Sequence, residues 1–394
     1  MKKVLYYSCL AAVTALTSCA KQDKENKIIT VKNSLNVSRS FETIEILKSD
    51  LHLTEGVDFE SFMVRDVNTK NVLVSQFVDE DQDGVADVLL FQPELAASSE
   101  KQYELFVPET PVELDVEEYC YSRFVPERTD DYAWENNKVA FRAYGPTAQR
   151  MIEESTPGGT LSSGIDAWLK KVEYPIINKW YAGNDKEPGF YHIDHGEGLD
   201  NFHVGSSRGV GGIAVEKDGE YYLSKNYTDW KTITTGPIRT SFVLNYADWD
   251  ADGQTISEEK HISLDYGSNF SKFELTVKGT DEISVGLTLH ENDGVITEKV
   301  EEGYISYWEP HADSELGTSI VAPKGVMQSS DYYVTSMVDR SNLYAKLKVN
   351  QNKVVYYAGF AWKKSEQYPT KELWEAYIED FINKVNHPLE VSIK

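Results

Sequence analysis

The chain of 394 residues is poor in cysteine, in basic residues and in long apolar runs. Three cysteines occur, and two of them, Cys9 and Cys19, lie within the first nineteen residues. Cys120 is therefore left without an intramolecular partner, which excludes a disulfide framework and favours the role of a small buried hydrophobe over that of a nucleophile. Lysine and arginine number 39 against 64 acids, a formal net charge of −25. Such a surface repels nucleic-acid phosphates and anionic membranes, so no nucleic-acid partner is expected. After the first nineteen residues there is no apolar run near the ~20 residues that a spanning helix needs.

What is present at the start is an address. "MKKVLYYSCLAAVTALTSC" places two lysines before a short apolar run that ends in small residues and Cys19. This is the pattern of a lipoprotein signal, in which the cysteine is acylated and becomes the mature N-terminus. The alternative is an ordinary signal peptide with an incidental cysteine. The reading is a signal over 1–19, a polar tether over 20–27 and a location in the cell envelope, with membrane attachment through lipid at Cys19 alone.

Two β-rich parts follow. Over 28–125, runs such as "IITVKN", "FETIEIL" and "DVLLFQP" recur about every ten residues, the signature of an N-terminal β-sandwich. Over 126–394 the strand density predicts a large antiparallel sandwich, an all-β fold class overall. Short helices are expected at "TAQRMIEE" and "IDAWLKKV". A C-terminal amphipathic helix is expected at "PTKELWEAYIEDFINKVNHP", with Leu373, Tyr377, Phe381 and Val385 forming its apolar stripe.

Titratable groups concentrate in "GFYHIDHGEGLDNFHVGSSRGVGG", Gly189 to Gly212. Read as a strand, it sets His192 and Asp194 on one face, with His203 able to meet them across a hairpin and His195 at the rim. Histidine suits proton transfer near neutral pH, so His192 and His195 are the candidate catalytic pair, oriented by Asp194 or Glu197. The same set suits a transition metal, and a polar hairpin with backbone-bonded histidines is the third reading. "GSSRGVGG" matches no nucleotide-binding fingerprint and reads as close backbone packing or as a loop that admits a ligand.

Candidate substrate-binding residues cluster in "WENNKVAFRAYGP": Trp134, Glu135, Asn136, Arg142 and Tyr144. Arg239 in "GPIRTSF" offers a second guanidinium that matches a uronate carboxylate, and Trp308 a further stacking surface. His290, Tyr307, Glu309 and His311 carry weaker signals. Calcium is the one candidate cofactor: Asp79, Asp81, Asp83 and Asp87 alternate around Gly84, although Leu90 stands where a calcium loop places its bidentate glutamate. Asp248, Asp250 and Asp252 make a second, poorer loop.

Together "WENNKVAFRAYGP", "YHIDHGEGLDNFHVGSSRGVGGI", "TTGPIRTSFVLNY" and "YYAGFAWKKS" resemble the domain-of-unknown-function family 4861 from about Val31 to Val391. Asn137 and Val210 depart from its pattern. The resemblance implies an exported protein of polysaccharide-degrading bacteria, often in settings that process uronate-containing glycans. It implies no reaction. The strand layout is also similar to the galactose-mutarotase-like supersandwich. Three functions follow as expectations: an enzyme of lyase, epimerase or hydrolase type acting on a uronate oligosaccharide, a non-catalytic glycan-binding lipoprotein, or a structural surface protein.

The lipid attachment makes a direct demand. Cys19→Ala is expected to release the processed protein from the membrane fraction, which fractionation with mass determination of the N-terminus will decide.

Overall fold

The computed structural model describes residues 26–394. The signal, Cys19 and most of the tether lie outside the described residues. The all-β expectation holds: among the described residues five antiparallel sheets dominate and helices are few.

The N-terminal part is a sandwich of two small sheets. Lys27–Lys32, Met63–Asp66 and Glu100–Phe106 form one, and Ile44–Leu47, Ser75–Val78 and Val88–Phe91 the other. Alternation in "KIITVK" turns Ile29 and Val31 inward against Ile46, Leu89, Phe91 and Tyr103. Two boundaries differ from the sequence reading. Tyr121–Val125 pairs with Asp131–Glu135 and so belongs to the second part. Glu390–Ile393 returns to the first part, with Val391 opposite Val31. The chain's last strand thus closes its first sheet, a long-range pairing invisible to local pattern.

The larger part stacks a nine-stranded sheet on a five-stranded one. Phe242, Ile262, Phe273, Ile320 and Tyr356 from the first meet Ile213, Val285, Leu287 and Leu343 from the second. Another five-stranded sheet, Tyr121–Val125 to Gly198–Leu199, lies against this sandwich. One of its faces carries Tyr132, Trp134, Phe141, Ala167 and Leu169 into the main core. The other carries Ala133, Ala140 and Trp168 and is covered by the helix Ile177–Lys186 through Ile177, Trp180 and Tyr181.

Pro146–Glu153 is helical as expected, with proline in its first turn. "IDAWLKKV" is not helical: Asp166–Lys170 is a central strand buried on both faces. A strand packed on both sides reads as a continuous apolar run, so its local pattern gives no guide. The C-terminal helix spans Lys371–Asn386 and starts with the Thr370 hydroxyl accepting from the Leu373 N–H. Its buried stripe is displaced by one residue from the expected one. Trp374, Ile378 and Ile382 are buried, Tyr377, Phe381 and Val385 flank them, and Leu373 is exposed.

This displacement is measurable. Trp374 packs fully buried among Phe270, Tyr304, Trp308 and Val321, so Trp374→Ala is expected to lose ~3–5 kcal/mol in urea denaturation. Leu373→Ala is expected to lose less than ~0.5 kcal/mol.

Candidate functional site

On the helix-covered face of the middle sheet, antiparallel register sets Arg142 opposite Asp166. Its Nε donates to Asp166 at 2.8 Å and its Nη2 to Asp200 at 2.9 Å, with Asp131 3.7 Å from Nη1. All four residues are nearly or fully buried. Trp168, Tyr144 and Tyr191 place their rings 5.2, 5.2 and 5.7 Å from the guanidinium. Burial favours the neutral carboxyl and pushes Asp131 up to about 6, Asp166 to about 7 and Asp200 to about 6, against the pull of Arg142. Burial also opposes the charge on Arg142, but Asp200 and Asp166 more than offset it and the guanidinium stays charged. Arg142, helped at Asp131 and Asp200 by Arg128, does not fully offset the burial of three carboxyls, and Asp166, at about 7, is partly protonated near neutral pH.

A second buried pair lies on the same face. Lys170 donates to Glu135 at 2.8 Å, and both Glu135 oxygens accept N–H groups of Ile176 and Ile177 at 2.9 Å. Glu135 therefore anchors the N-terminus of the covering helix and is not a ligand-binding group. Asn136 turns the chain by accepting from the N–H groups of Lys138 and Val139, and Trp134 is enclosed in the core beside Phe141 and Phe242. The expectation that these three residues bind sugar is corrected: their side chains are spent on the fold.

Above Arg142 a cavity of about 510 Å³ opens, bounded by Tyr144, Thr160, Leu161, His192 and the segment from Asp200 to Gly205. Here the predicted strand at Tyr191 to Asp194 is overturned, because Phe190–His192 is a single 3₁₀ turn. Of the proposed catalytic set, His192 alone is among the residues that line the cavity. Its Nδ1 lies 2.6 Å from the Asp200 carbonyl. A carbonyl only accepts, so Nδ1 carries the proton of the neutral ring and Nε2 keeps its lone pair.

The other three members are elsewhere. Asp194 pairs with Lys171 at 2.6 Å and closes the Gly196 turn. His195 stacks on Phe190 with ring centroids 4.1 Å apart. Glu197 is buried, but donors from Lys179, Tyr174 and Trp180 overcome that burial and hold it below the usual carboxylate range. His203 also borders the cavity but pairs with Asp339 at 3.2 Å, so it does not join His192 and Asp194.

Two further expectations are corrected. Arg239 pairs with Asp265 at 2.6 Å and with Glu45 at 2.6 Å, and lines a different cavity between the two parts of the chain. It cannot share a carboxylate with Arg142. Trp308 is buried beneath the C-terminal helix against Trp374, so it offers no ring to a sugar. The "GSSRGVGG" segment is close backbone packing, since a side chain on Gly209 would strike the Ile165 carbonyl.

In the first acidic loop Asp79, Asp81 and Asp87 approach one another, while Asp83 is not of the group. The Asp79 carboxylate accepts from the N–H groups of Gln82 and Gly84, and Asp87 from that of Glu80. The second acidic loop is a hairpin tip closed by Asp250 and Gly253. The cluster least visible in the sequence is His290, Glu309 and His311, whose ligand atoms lie within 4.8 Å of one another directly behind Asn201 to His203. The sequence marked all three only as weak separate signals, and tertiary structure brings them together.

The raised aspartates fix the sign of a pH effect. Between an unfolded value of 3.8 and about 7, folded Asp166 binds a proton that the unfolded chain releases. Its contribution is therefore complete at low pH and is lost as pH rises through about 7. Asp166→Asn is expected to flatten the decline of stability between about pH 5 and pH 8, read from urea midpoints across that range.

A family model described as a domain of unknown function (DUF4861) matches residues 31–391. The "Uncharacterized protein P7" of Formosa agariphila is 71% identical over 395 residues, covering 100% of both chains. Among solved structures, a protein in the glycosyl hydrolase family 38 from Enterococcus faecalis aligns at TM-score 0.48 and 11% identity, over 94% of this chain and 47% of its own. An alpha-mannosidase from Enterococcus faecalis V583 aligns at TM-score 0.45 and 10% identity, over 94% and 46%. The chain spans about half the length of these two structures. With the family model matching nearly its whole length and a relative aligned end to end, the chain belongs to the DUF4861 family.

Proposed function

We propose that this chain is an exported carbohydrate-active enzyme that abstracts the C5 proton of a uronate residue, in a lyase- or epimerase-type reaction, and is held at the cell envelope by lipid at Cys19. The observation that carries this reading is the lining of the cavity over Arg142. It brings together His192, Tyr144 and Asn201 but a single carboxyl residue, Asp200. A glycosidase of the usual kind needs two carboxyls flanking the bond. Abstraction of a proton next to a carboxylate needs a base, a donor to the carboxylate and an acid for the opposite face or the leaving oxygen.

Each role has a residue of suitable chemistry. His192 Nε2 is the base. The carboxyl of Asp200, raised to about 6 by burial, donates to the substrate carboxylate in the fraction of molecules that keep its proton, a fraction that grows as pH falls toward 6. The Asn201 amide assists, because its oxygen faces His311 and its NH₂ is left to donate. The Tyr144 phenol, pushed up by burial and by Asp166, is protonated and serves as the acid. Arg142 acts through its neighbours: its Nε and Nη2 donate to Asp166 and Asp200, so it positions Asp200. Uronate recognition by paired arginines is dropped from this reading.

The test is turnover of uronate oligosaccharides, followed by the ultraviolet absorbance of the unsaturated product or by proton exchange at C5. His192→Ala is expected to lower kcat by ~10²-fold or more with stability changed by less than about 1 kcal/mol. His195→Ala, outside the cavity, is expected to retain activity. Equal loss in both variants would overturn the assignment. Binding of the oligosaccharide by the wild type without turnover or exchange would favour the glycan-binding alternative.

A further inference from the structure

His290 follows the strand Glu282–Thr288 of the five-stranded sheet, while Glu309 and His311 lie on Tyr304–His311 of the nine-stranded sheet. The three side chains therefore meet where the two sheets of the main sandwich come together. Phe202 packs edge-on against His290 at 4.7 Å and covers the cluster from the cavity side.

The hydrogen bonds around the cluster settle which atoms face inward. His290 Nε2 lies 3.1 Å from the His203 carbonyl, and His311 Nε2 lies 3.1 Å from the Asn201 amide oxygen. Both partners are acceptors, so both Nε2 atoms carry protons. Each imidazole then has its distal N–H fixed to an oxygen, the arrangement that orients histidine toward a metal; His290 Nδ1 is held against the Glu309 carboxylate by a shared proton that a bound metal ion would displace. Glu309 is 1% exposed. Its Oε1 lies 2.6 Å from His290 Nδ1, and its Oε2 is buried with no hydrogen-bond partner among the described residues. An orphaned buried carboxylate oxygen is costly, and it marks an interaction that the protein atoms alone do not satisfy.

We infer that His290 Nδ1, His311 Nδ1 and the Glu309 carboxylate bind a divalent transition-metal ion of the zinc class. Two imidazole nitrogens and one carboxylate oxygen are borderline donors that suit zinc and its neighbours and are poor partners for calcium. Ligand atoms each about 2.1 Å from a zinc ion lie at most about 4.2 Å apart. One ligand atom from each of the three residues already lies within 4.8 Å of the others, so closing the set around an ion needs only modest side-chain rotations. The ion would join two sheets and, through Asn201 and His203, hold the segment that forms the cavity wall. Its role is to position that wall. The inference stands apart from the proposed reaction, since the metal is measured directly.

The experiment uses the full chain, stripped with chelator, dialysed and titrated with zinc chloride by calorimetry, with metal content measured by mass spectrometry. One zinc per chain is expected. Glu309→Gln and His311→Ala are expected to weaken binding by at least ~10-fold, and Asn201→Ala, which removes only the orienting hydrogen bond, by ~10–100-fold. Asp79→Asn, in the remote acidic loop, is expected to leave the zinc affinity unchanged. Cobalt loading of the wild type guards against variants that fail to fold: strong visible bands of a four- or five-coordinate ion support the site. Absence of stoichiometric zinc in the wild type, undiminished affinity in folded Glu309→Gln, or only the weak bands of six-coordinate cobalt would overturn it.

Discussion

A buried guanidinium has to be answered by charge, and the middle of this protein is organised around that requirement. Arg142 sits on a sheet face closed by a helix, where removal from water costs several kcal/mol per ion unless partners repay it. Asp166 comes from the adjacent strand in direct register, Asp131 from the strand on the other side, and Asp200 from the segment after Gly198–Leu199. The cluster is over-supplied with acid, and burial resolves the excess by raising the carboxyls until part of them hold protons. Asp200, the carboxyl at the floor of the cavity, is raised to about 6, so it keeps its proton to a higher pH than an ordinary aspartate although the protein as a whole carries −25.

The same sheet face explains why so much of "WENNKVAFRAYGP" serves the fold. Alternate residues of a central strand point to opposite layers. Trp134 and Phe141 fill the main core, while Glu135 and Arg142 enter the helix-covered layer. Glu135 pairs with Lys170 and anchors the helix Ile177–Lys186, which covers Trp168 and closes the layer over Arg142. Aromatic, amide and charged residues close together in sequence look like a ligand platform, yet only Arg142 and Tyr144 border the cavity.

The histidines divide by the same logic of partners. His192 is exposed and lines the cavity, with one nitrogen committed to a backbone carbonyl and the other without a hydrogen-bond partner among the described residues. His195 is occupied by the Phe190 ring and His203 by Asp339. His290 and His311 are turned by fixed acceptors toward a buried glutamate. Five residues of one type thus take distinct chemical positions, set by which oxygen each ring nitrogen meets.

Local pattern determined the all-β class, most strand positions, the C-terminal helix and the isolation of Cys120, because side-chain period and turn residues act over a few residues at a time. It also marked Arg142, Tyr144 and His192, three of the groups around the cavity. Tertiary structure decided the rest. Asp166 was hidden in a run read as a helix, since a strand buried on both faces has no alternation to read. The buried stripe of the last helix shifted by one residue because the sheet beneath it selected Trp374. Arg239 parted from Arg142, and His290 joined Glu309 and His311, through pairings between residues far apart in the chain. Such meetings depend on sheet register and layer packing, which place side chains by contacts that no short stretch of sequence contains.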